Sequence, residues 1–474
     1  MFSVIFSRKY FLSFVVFVGL ILLHFSPVQK SFGAVLSVLM ALLASFNPAA
    51  FFVFAVGSQI APDPKDISMT LAQLGVVCWL ITLPVNRWPL LARDGFKLPT
   101  VLILFIFWGI AMTVLNGTWE YFIPLLTGIF YFIIAIVYAN DRRYSQYELL
   151  MVVCLTSFIS IIGYWLPKIG LPVELIEYES DAFRNVERIG SGKGDANMVG
   201  IMLPIAVIGF LFTLITYNFQ DAGDTESEHK PGVGVFTTLG LICFIFVAGI
   251  PPLLSTASRT ALVTSVFGFL VMLFFLFMTA KKSQFSAFKR KTYVTLLFIL
   301  ITLVLSSVYI YTNNEFNRYI IAMERINSKE NESLIGNNRF GGRSPVWQSH
   351  LKIIADYPLS GSPREATWVF ASHGRGKFGS FVAHNTYIEM GSLAGLPSAF
   401  LFIIFCFYPF FKRFRIFFHG NYLAFPLVGI LIFTSFLSFS AQSWKVFWVF
   451  MALVWMIYYQ TDGRADDTRS LPET

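Results

Sequence analysis

The groups in this chain best suited to chemistry are one histidine beside an asparagine and a set of arginines set in otherwise apolar sequence. In Phe381-Val-Ala-His-Asn-Thr-Tyr-Ile-Glu-Met-Gly, the pair His384-Asn385 runs straight into an apolar stretch, and Asn385 or Thr386 supplies the helix N-cap. His384 then stands at the positive end of a helix dipole, which favours neutral imidazole over imidazolium. Neutral imidazole can take the proton of an attacking hydroxyl, the task of a general base. Arg184, Arg188, Arg259 and Arg343 offer the complement. Each guanidinium is a planar fork suited to paired phosphate oxygens, and several together would neutralise a diphosphate. Arg343 directly precedes Ser344-Pro345, which read as N-cap and N1 of a helix, so backbone N–H groups there also attract an anion.

The elements that must position these groups are membrane helices. Hydrophobic residues make up 56% of the 474 positions and charged residues only 13%, and apolar runs near the roughly 20-residue bilayer span recur along the chain. Runs such as 101–115 and 262–278 are almost uniformly apolar, whereas barrel strands would alternate. The fold class is therefore all-α, a polytopic transmembrane helical bundle of about 12 to 14 spans with one large, partly helical external loop. The net charge of +8 is accounted for by Lys and Arg collecting in cytoplasmic loops and calls for no nucleic-acid partner. Cys78, Cys154, Cys243 and Cys406 all fall inside apolar runs, which argues against a disulfide framework or a thiolate metal site. The segment after Arg8-Lys9 lacks a small-residue cleavage site and reads as a retained anchor.

Bases cluster in the short connections at 87–97, 141–143, 281–291 and 412–415, which places those connections in the cytoplasm. The span 293–311 then crosses outward, so the polar loop 313–392 is external, periplasmic in a Gram-negative cell. The expected division is 1–312 as transmembrane bundle, 313–392 as the catalytic loop, 393–460 as C-terminal spans and 461–474 as cytoplasmic tail. The stretch 220–234 reads as a cytoplasmic connector. Asn47-Pro48 either breaks the apolar stretch 31–60 into two short spans or leaves one long one, and this sets the side of the N-terminus.

Positive charges outside work against the positive-inside bias. They occur at Arg184, Arg188 and Lys193 in one connection, at Arg259 opening a span in Ser-Thr-Ala-Ser-Arg-Thr, and at six Lys or Arg between 339 and 377. Lys281 lies about 33 Å along a helix from Arg259, one bilayer thickness, so Arg259 belongs at the outer interface. A diphosphate-linked lipid is the anion to expect there. Within the large loop, Trp347, Leu351 and Ile354 share one face of the helix that Ser344-Pro345 opens and Pro358 ends, and this face is expected to pack on the bundle. His350, on that helix, and His373, in a Gly-rich turn, rank below His384. Asp63 and Asp66 sit beside prolines and read as turn residues rather than metal ligands.

Taken together, these residues resemble the O-antigen ligase and polymerase superfamily of bacterial integral-membrane glycosyltransferases. The resemblance rests on Ser258-Arg259-Thr260-Ala261, on Arg343 with Trp347 and Asp356-Tyr-Pro-Leu-Ser-Gly361, on His384-Asn385, and on the Gly- and Asn-containing stretch 192–197, whose Asn197 joins Asn385 as a supporting residue. It covers roughly half of the chain. In ligases the His-Asn pair is followed after nine residues by Gly-x-x and then Gly, Thr or Tyr. Gly395 fits that spacing, while the last position is Ser398.

The resemblance implies inverting transfer of a glycan from an undecaprenyl diphosphate carrier to an acceptor hydroxyl at the periplasmic face of the inner membrane, with no metal or other cofactor. The sequence carries no Asp-x-Asp pair, Walker loop or His-Glu-x-x-His helix. Two enzyme readings and one non-enzyme reading remain: a polymerase joining repeat units of O-antigen or exopolysaccharide, which Ser398 favours; a ligase attaching the glycan to lipid A core; and a transporter of the same glycan lipid. The near absence of charge within the spans disfavours the third. A flippase and a chain-length regulator are the partners a polymerase would meet.

Overall fold

The computed structural model describes residues 9–63, 69–86, 97–118, 122–141, 143–172, 178–181, 186–189, 196–213, 216, 248–253, 259–282, 343–362, 385–419, 422–437 and 444–467. In chain order the first helices are α1 (Phe11–Leu22), α2 (Ser26–Phe46), α3 (Pro48–Gly57), α4 (Leu71–Asn86), α5 (Thr100–Leu115) and α6 (Ile123–Ala139). Next come α7 (Gln146–Thr156), α8 (Ile159–Lys168), a hairpin of β1 (Tyr178–Asp181) and β2 (Val186–Ile189), and α9 (Ala196–Pro204). The last are α10 (Arg259–Lys282), α11 (Arg343–Asp356), α12 (Thr386–Lys412), α13 (Phe414–His419), α14 (Ala424–Ser435) and α15 (Lys445–Asp467).

This is an all-α membrane protein; the small antiparallel hairpin holds the strands found among the described residues. Gln146–Pro167, Thr260–Met278 and Thr386–Lys412 are each long and apolar enough to cross a bilayer, and shorter apolar helices accompany them. The span 293–311, which sets the expected sidedness, lies outside the described residues.

The chain forms two compact units. The first comprises Met1–Trp79, Tyr147–Ile326 and Arg415–Ile432. In it the break at Asn47-Pro48 takes its two-helix form. Pro48 has no N–H to give α2, Asn47 is extended (φ −139°, ψ 129°), and its Oδ1 accepts the Ala50 N–H at 3.0 Å. All ten residues of α3 are buried. Asp63 behaves as a turn residue, its Oδ1 accepting the Leu71 N–H at 2.7 Å, and Thr70 and Gln73 bond reciprocally as a capping box for α4. Lys9 pairs with Glu148 at 2.9 Å. His24, in the α1–α2 turn, is buried with no partner for either ring nitrogen among the described residues, and this desolvation lowers its pKa from 6.5 to about 4. Beyond α9 the helix widens into a π-helical turn at Ile205–Gly209, just after Pro204 removes an N–H from the ladder.

The second unit comprises Leu80–Gln146, Asn327–Phe414 and Phe433–Thr474. Here α5 packs on α12, α6 on α15, and α11 on α12. Its core is aromatic: Phe405 stacks on Trp455 at 6.0 Å, Phe436 meets Phe447 edge-on at 4.9 Å, and Phe447 meets Trp448 at 4.9 Å. Many of the chain's 53 phenylalanines thus pack against one another inside the protein. Gly128 lies so close to the Trp448 indole that a side chain there would collide with it.

Helix α11 occupies the stretch that Ser344-Pro345 announces, but its buried face differs from the apolar pattern. Leu351 is 51% exposed, while His350 and Ile353 are buried. Ile354 reaches Gly391 of α12, where a Cβ would stand 3.0 Å from Ile354 Cδ1, so the small residue sets how closely the two helices approach. That approach turns His350 inward.

Candidate functional site

The residues around Asn385 are held by a short mount. Asn385 is the N-cap of α12 (φ −149°, ψ 107°), its Oδ1 accepting the N–H groups of Tyr387 at 3.1 Å and Ile388 at 3.2 Å. Its Nδ2 donates to the Leu437 carbonyl at 3.4 Å, and the Thr386 N–H donates to the Phe436 carbonyl at 3.0 Å. The entrance to α12 is thereby tied to the chain just beyond α14.

About two turns later the helix breaks. Ala394 (φ −137°, ψ 23°) and Gly395 (φ 82°, ψ 170°) leave helical geometry, so 386–393 is a separate piece ahead of the long apolar remainder. The break is clasped by the turn after α11. The Leu396 N–H donates to the Pro358 carbonyl and the Ser362 N–H to the Ser392 carbonyl, both at 2.7 Å. Gly361, also at positive φ (74°), lies against Leu393, Ala394 and Gly395. Two side chains, one midway along α5 and one at its C-cap, complete the clasp: Trp108 Nε1 donates to the Ala394 carbonyl at 2.9 Å, and Asn116 Nδ2 donates to the Ser360 carbonyl at 2.7 Å. Two sequence features are thereby explained at once. Asp356-Tyr-Pro-Leu-Ser-Gly361 is the clasp, and Gly395 is the position it closes on.

A buried polar cluster flanks the mount. His350 Nδ1 lies 2.6 Å from Ser392 Oγ, and that hydroxyl also donates to the Glu389 carbonyl at 3.1 Å. His350, Glu389, Ser392 and Thr386 are all fully buried. A hydroxyl has one hydrogen. With it given to Glu389, the short contact is an imidazole Nδ1–H donated to Ser392. The presence of a polar residue one turn from Trp347, within an otherwise apolar face, is the sequence signal for His350. Trp108 and Asn116 carry no such signal, since nothing local marks their partners.

Of the expected site residues, His384 and Arg184 lie outside the described residues. Asn385 is the α12 cap, and Arg343 is the first residue of α11. These two helices pack together within the second unit. In the first unit Arg259 opens α10, Asn197 is in the first turn of α9, and Arg188 is in β2 in register with Glu179. There α9 packs against both α10 and β2, so the elements that carry Arg188, Asn197 and Arg259 adjoin. Among the described residues no three His, Cys, Asp or Glu side chains gather into a metal-binding group. Of the four cysteines, Cys78, Cys154 and Cys406 are buried, and Cys243 lies outside the described residues.

No curated protein sequence matches the chain. Residues 244–403 match a family model described as O-antigen ligase, a stretch that takes in Arg259, Arg343, the α11 clasp, His384, Asn385 and Gly395. Over this segment, about a third of its length, the chain is similar to the O-antigen ligase family.

Proposed function

We propose that the protein transfers a glycan from an undecaprenyl diphosphate carrier to an acceptor hydroxyl at the periplasmic face of the inner membrane. The observation that carries this reading is the anchored mount that begins at Asn385, the residue after His384 in the sequence: a capped two-turn helix bound at both ends. Such a mount suits a general base, which must be held within hydrogen-bond reach of the proton it removes.

In the proposed step, His384 takes the proton of the acceptor hydroxyl as its oxygen attacks the anomeric carbon from the face opposite the carrier. The bond from that carbon to the diphosphate oxygen breaks, giving inversion. The diphosphate leaves with its charge held by Arg259, Arg343 and Arg184 or Arg188. Charge-assisted hydrogen bonds of this kind contribute about 1.5 to 3 kcal/mol each. Asn385 and Asn197 are supporting residues in this reading. This chemistry needs no metal, because the cationic side chains stabilise the leaving group. The loop 313–392 is the catalytic segment, between the bundle 1–312 and the spans 393–460.

The acceptor in the first reading is another carrier-linked repeat unit, making the protein a polymerase of O-antigen or exopolysaccharide that works beside a flippase and a chain-length regulator. Ser398, buried three residues past the Gly395 break, supports this, since ligases carry Gly, Thr or Tyr there. The second reading, a ligase acting on lipid A core, is favoured by the description of the matched family.

Mass spectrometry of carrier-linked glycans in a deletion strain, complemented with wild type or His384→Ala, tests the proposal. Accumulated single repeat units mean a polymerase, and accumulated long chains mean a ligase. Wild-type glycan profiles from a membrane-inserted His384→Ala protein would remove His384 from the mechanism.

A further inference from the structure

We propose that Trp108 and Asn116, both on or beside α5 and outside the matched segment 244–403, are positioning residues for the transfer reaction. The inference rests on the reading of His384 as the base.

Residues 386–393 of the broken helix form an isolated piece about 12 Å long, and His384 is joined to it through the capping Asn385. An intact helix would hold such a piece by its own backbone ladder. Here the entrance is tied at Phe436 and Leu437, and because the ladder stops at Ala394 and Gly395 the other end is held by what grips it at the break. The clasp after α11 supplies backbone bonds at Pro358 and Ser362, but the clasp is itself an irregular turn with carbonyls of its own to satisfy.

Helix α5 provides the fixed reference. Trp108 and Asn116 are eight positions apart, on one face of the helix and about 12 Å along its axis. Trp108 Nε1 holds the Ala394 carbonyl, on the α12 side of the clasp, at 2.9 Å. Asn116 Nδ2 holds the Ser360 carbonyl, on the α11 side, at 2.7 Å. One helix therefore grips both halves of the clasp. Each donor satisfies a carbonyl that the interrupted helix or the turn leaves over. Losing a donor would let the break relax and shift the short piece that follows His384 in the sequence. A displacement near 1 Å at a general base is enough to lower turnover on the order of a hundredfold.

The test uses the full chain in native membrane vesicles, with initial consumption of the carrier-linked glycan measured at several glycan levels. Trp108→Phe keeps the ring and removes the N–H; Asn116→Leu keeps the size and removes the donor. Each is expected to lower turnover per folded protein roughly tenfold or more, with KM for the carrier-linked glycan within about twofold of wild type. Asn116→Gln, which retains an amide donor, is expected to recover part of that loss. A change at Phe107, exposed on the same helix, is expected to leave turnover intact. Wild-type turnover per folded protein in both donor variants would overturn the proposal. So would losses that merely track the amount of folded protein, or failure of both variants to accumulate in the membrane, since each points to a purely structural role. His384→Ala, measured alongside, separates the two ideas: its inactivity beside fully active donor variants overturns only the positioning role, and its full activity overturns both.

Discussion

Gly361 and Gly395 meet backbone to backbone. A Cβ on Gly361 would stand 2.7 Å from the Gly395 amide nitrogen and 2.6 Å from that of Ala394, while one on Gly395 would collide with the Leu359 carbonyl. Both glycines are also at positive φ, 74° and 82°, where any side chain is strained. The turn after α11 can reach the break in α12 because neither position carries a side chain.

Gly361→Ala and Gly395→Ala are therefore expected to be more damaging than glycine substitutions in an ordinary helix. Positive φ alone costs about 1 to 3 kcal/mol, and the steric clash adds to it. Thermal unfolding of the solubilised protein should show both variants destabilised, and transfer should fall further than folded protein does. A stable, fully active Gly395→Ala protein would mean that the break plays no part in the site.

At the other end of the mount, Asn385→Ala should cost about 1 kcal/mol through the lost cap. Asn385→Asp keeps the oxygen that Tyr387 and Ile388 bond and loses only the Nδ2 bond to Leu437. The aspartate is expected to retain helix stability yet reduce transfer, because a carboxylate beside His384 favours imidazolium, which cannot accept a proton. Comparing unfolding midpoints with transfer rates for the two variants checks this split.

The His350–Ser392 contact gives a third expectation. Ser392→Ala leaves a buried imidazole N–H without its acceptor, at a cost of about 1 to 3 kcal/mol. His350→Asn, whose amide can replace the Nδ1–H donor, should be milder than His350→Leu, which cannot. Equal stability of the asparagine and leucine variants would show that the hydrogen bond contributes nothing beyond packing.

Arginine chemistry predicts a different pattern at the opening of α10. Arg259→Lys retains the charge but not the fork, so transfer should fall by about tenfold or more, with Arg259→Gln lower still. A lysine variant as active as wild type would show that Arg259 acts as a simple point charge or as an interfacial anchor.

His24 supplies a pH dependence. Its folded pKa of about 4 lies below the ordinary 6.5. Between those values the unfolded chain binds a proton that the folded protein excludes. The contribution to stability is thus fully present above pH 6.5 and falls as pH drops towards 4, by about 3 kcal/mol in total. His24→Phe should flatten the difference in unfolding midpoint between pH 7 and pH 4.5 relative to wild type.

The features legible in the sequence are those whose physics is local. A chain this apolar must satisfy its backbone within helices, so the fold class is dictated by composition and run length. Pro48 denies α2 an N–H and Asn47 caps α3, so the break between the two helices is written in two adjacent residues. Asn385 caps groups only two and three positions ahead, and its role is visible for the same reason. The helix at Arg343 is likewise announced by Ser344-Pro345, but which side it buries is not. Leu351 looks inward by pattern, and the close approach at Gly391 selects His350 instead.

The tertiary structure decided the features that depend on segments far apart in the chain. In sequence Gly395 is one small residue in an apolar run, compatible with continuous helix. Its left-handed conformation exists because the Tyr357–Gly361 turn supplies hydrogen bonds to the interrupted ladder, and because Trp108 and Asn116 satisfy the carbonyls that the interruption and the turn leave over. No local pattern encodes those bonds, since each donor and its acceptor are specified independently and meet only when α5, α11 and α12 pack. The sequence by itself determined a helical membrane protein with a capped entrance after His384; the packing of those three helices determined that the entrance is a short, broken and separately anchored piece.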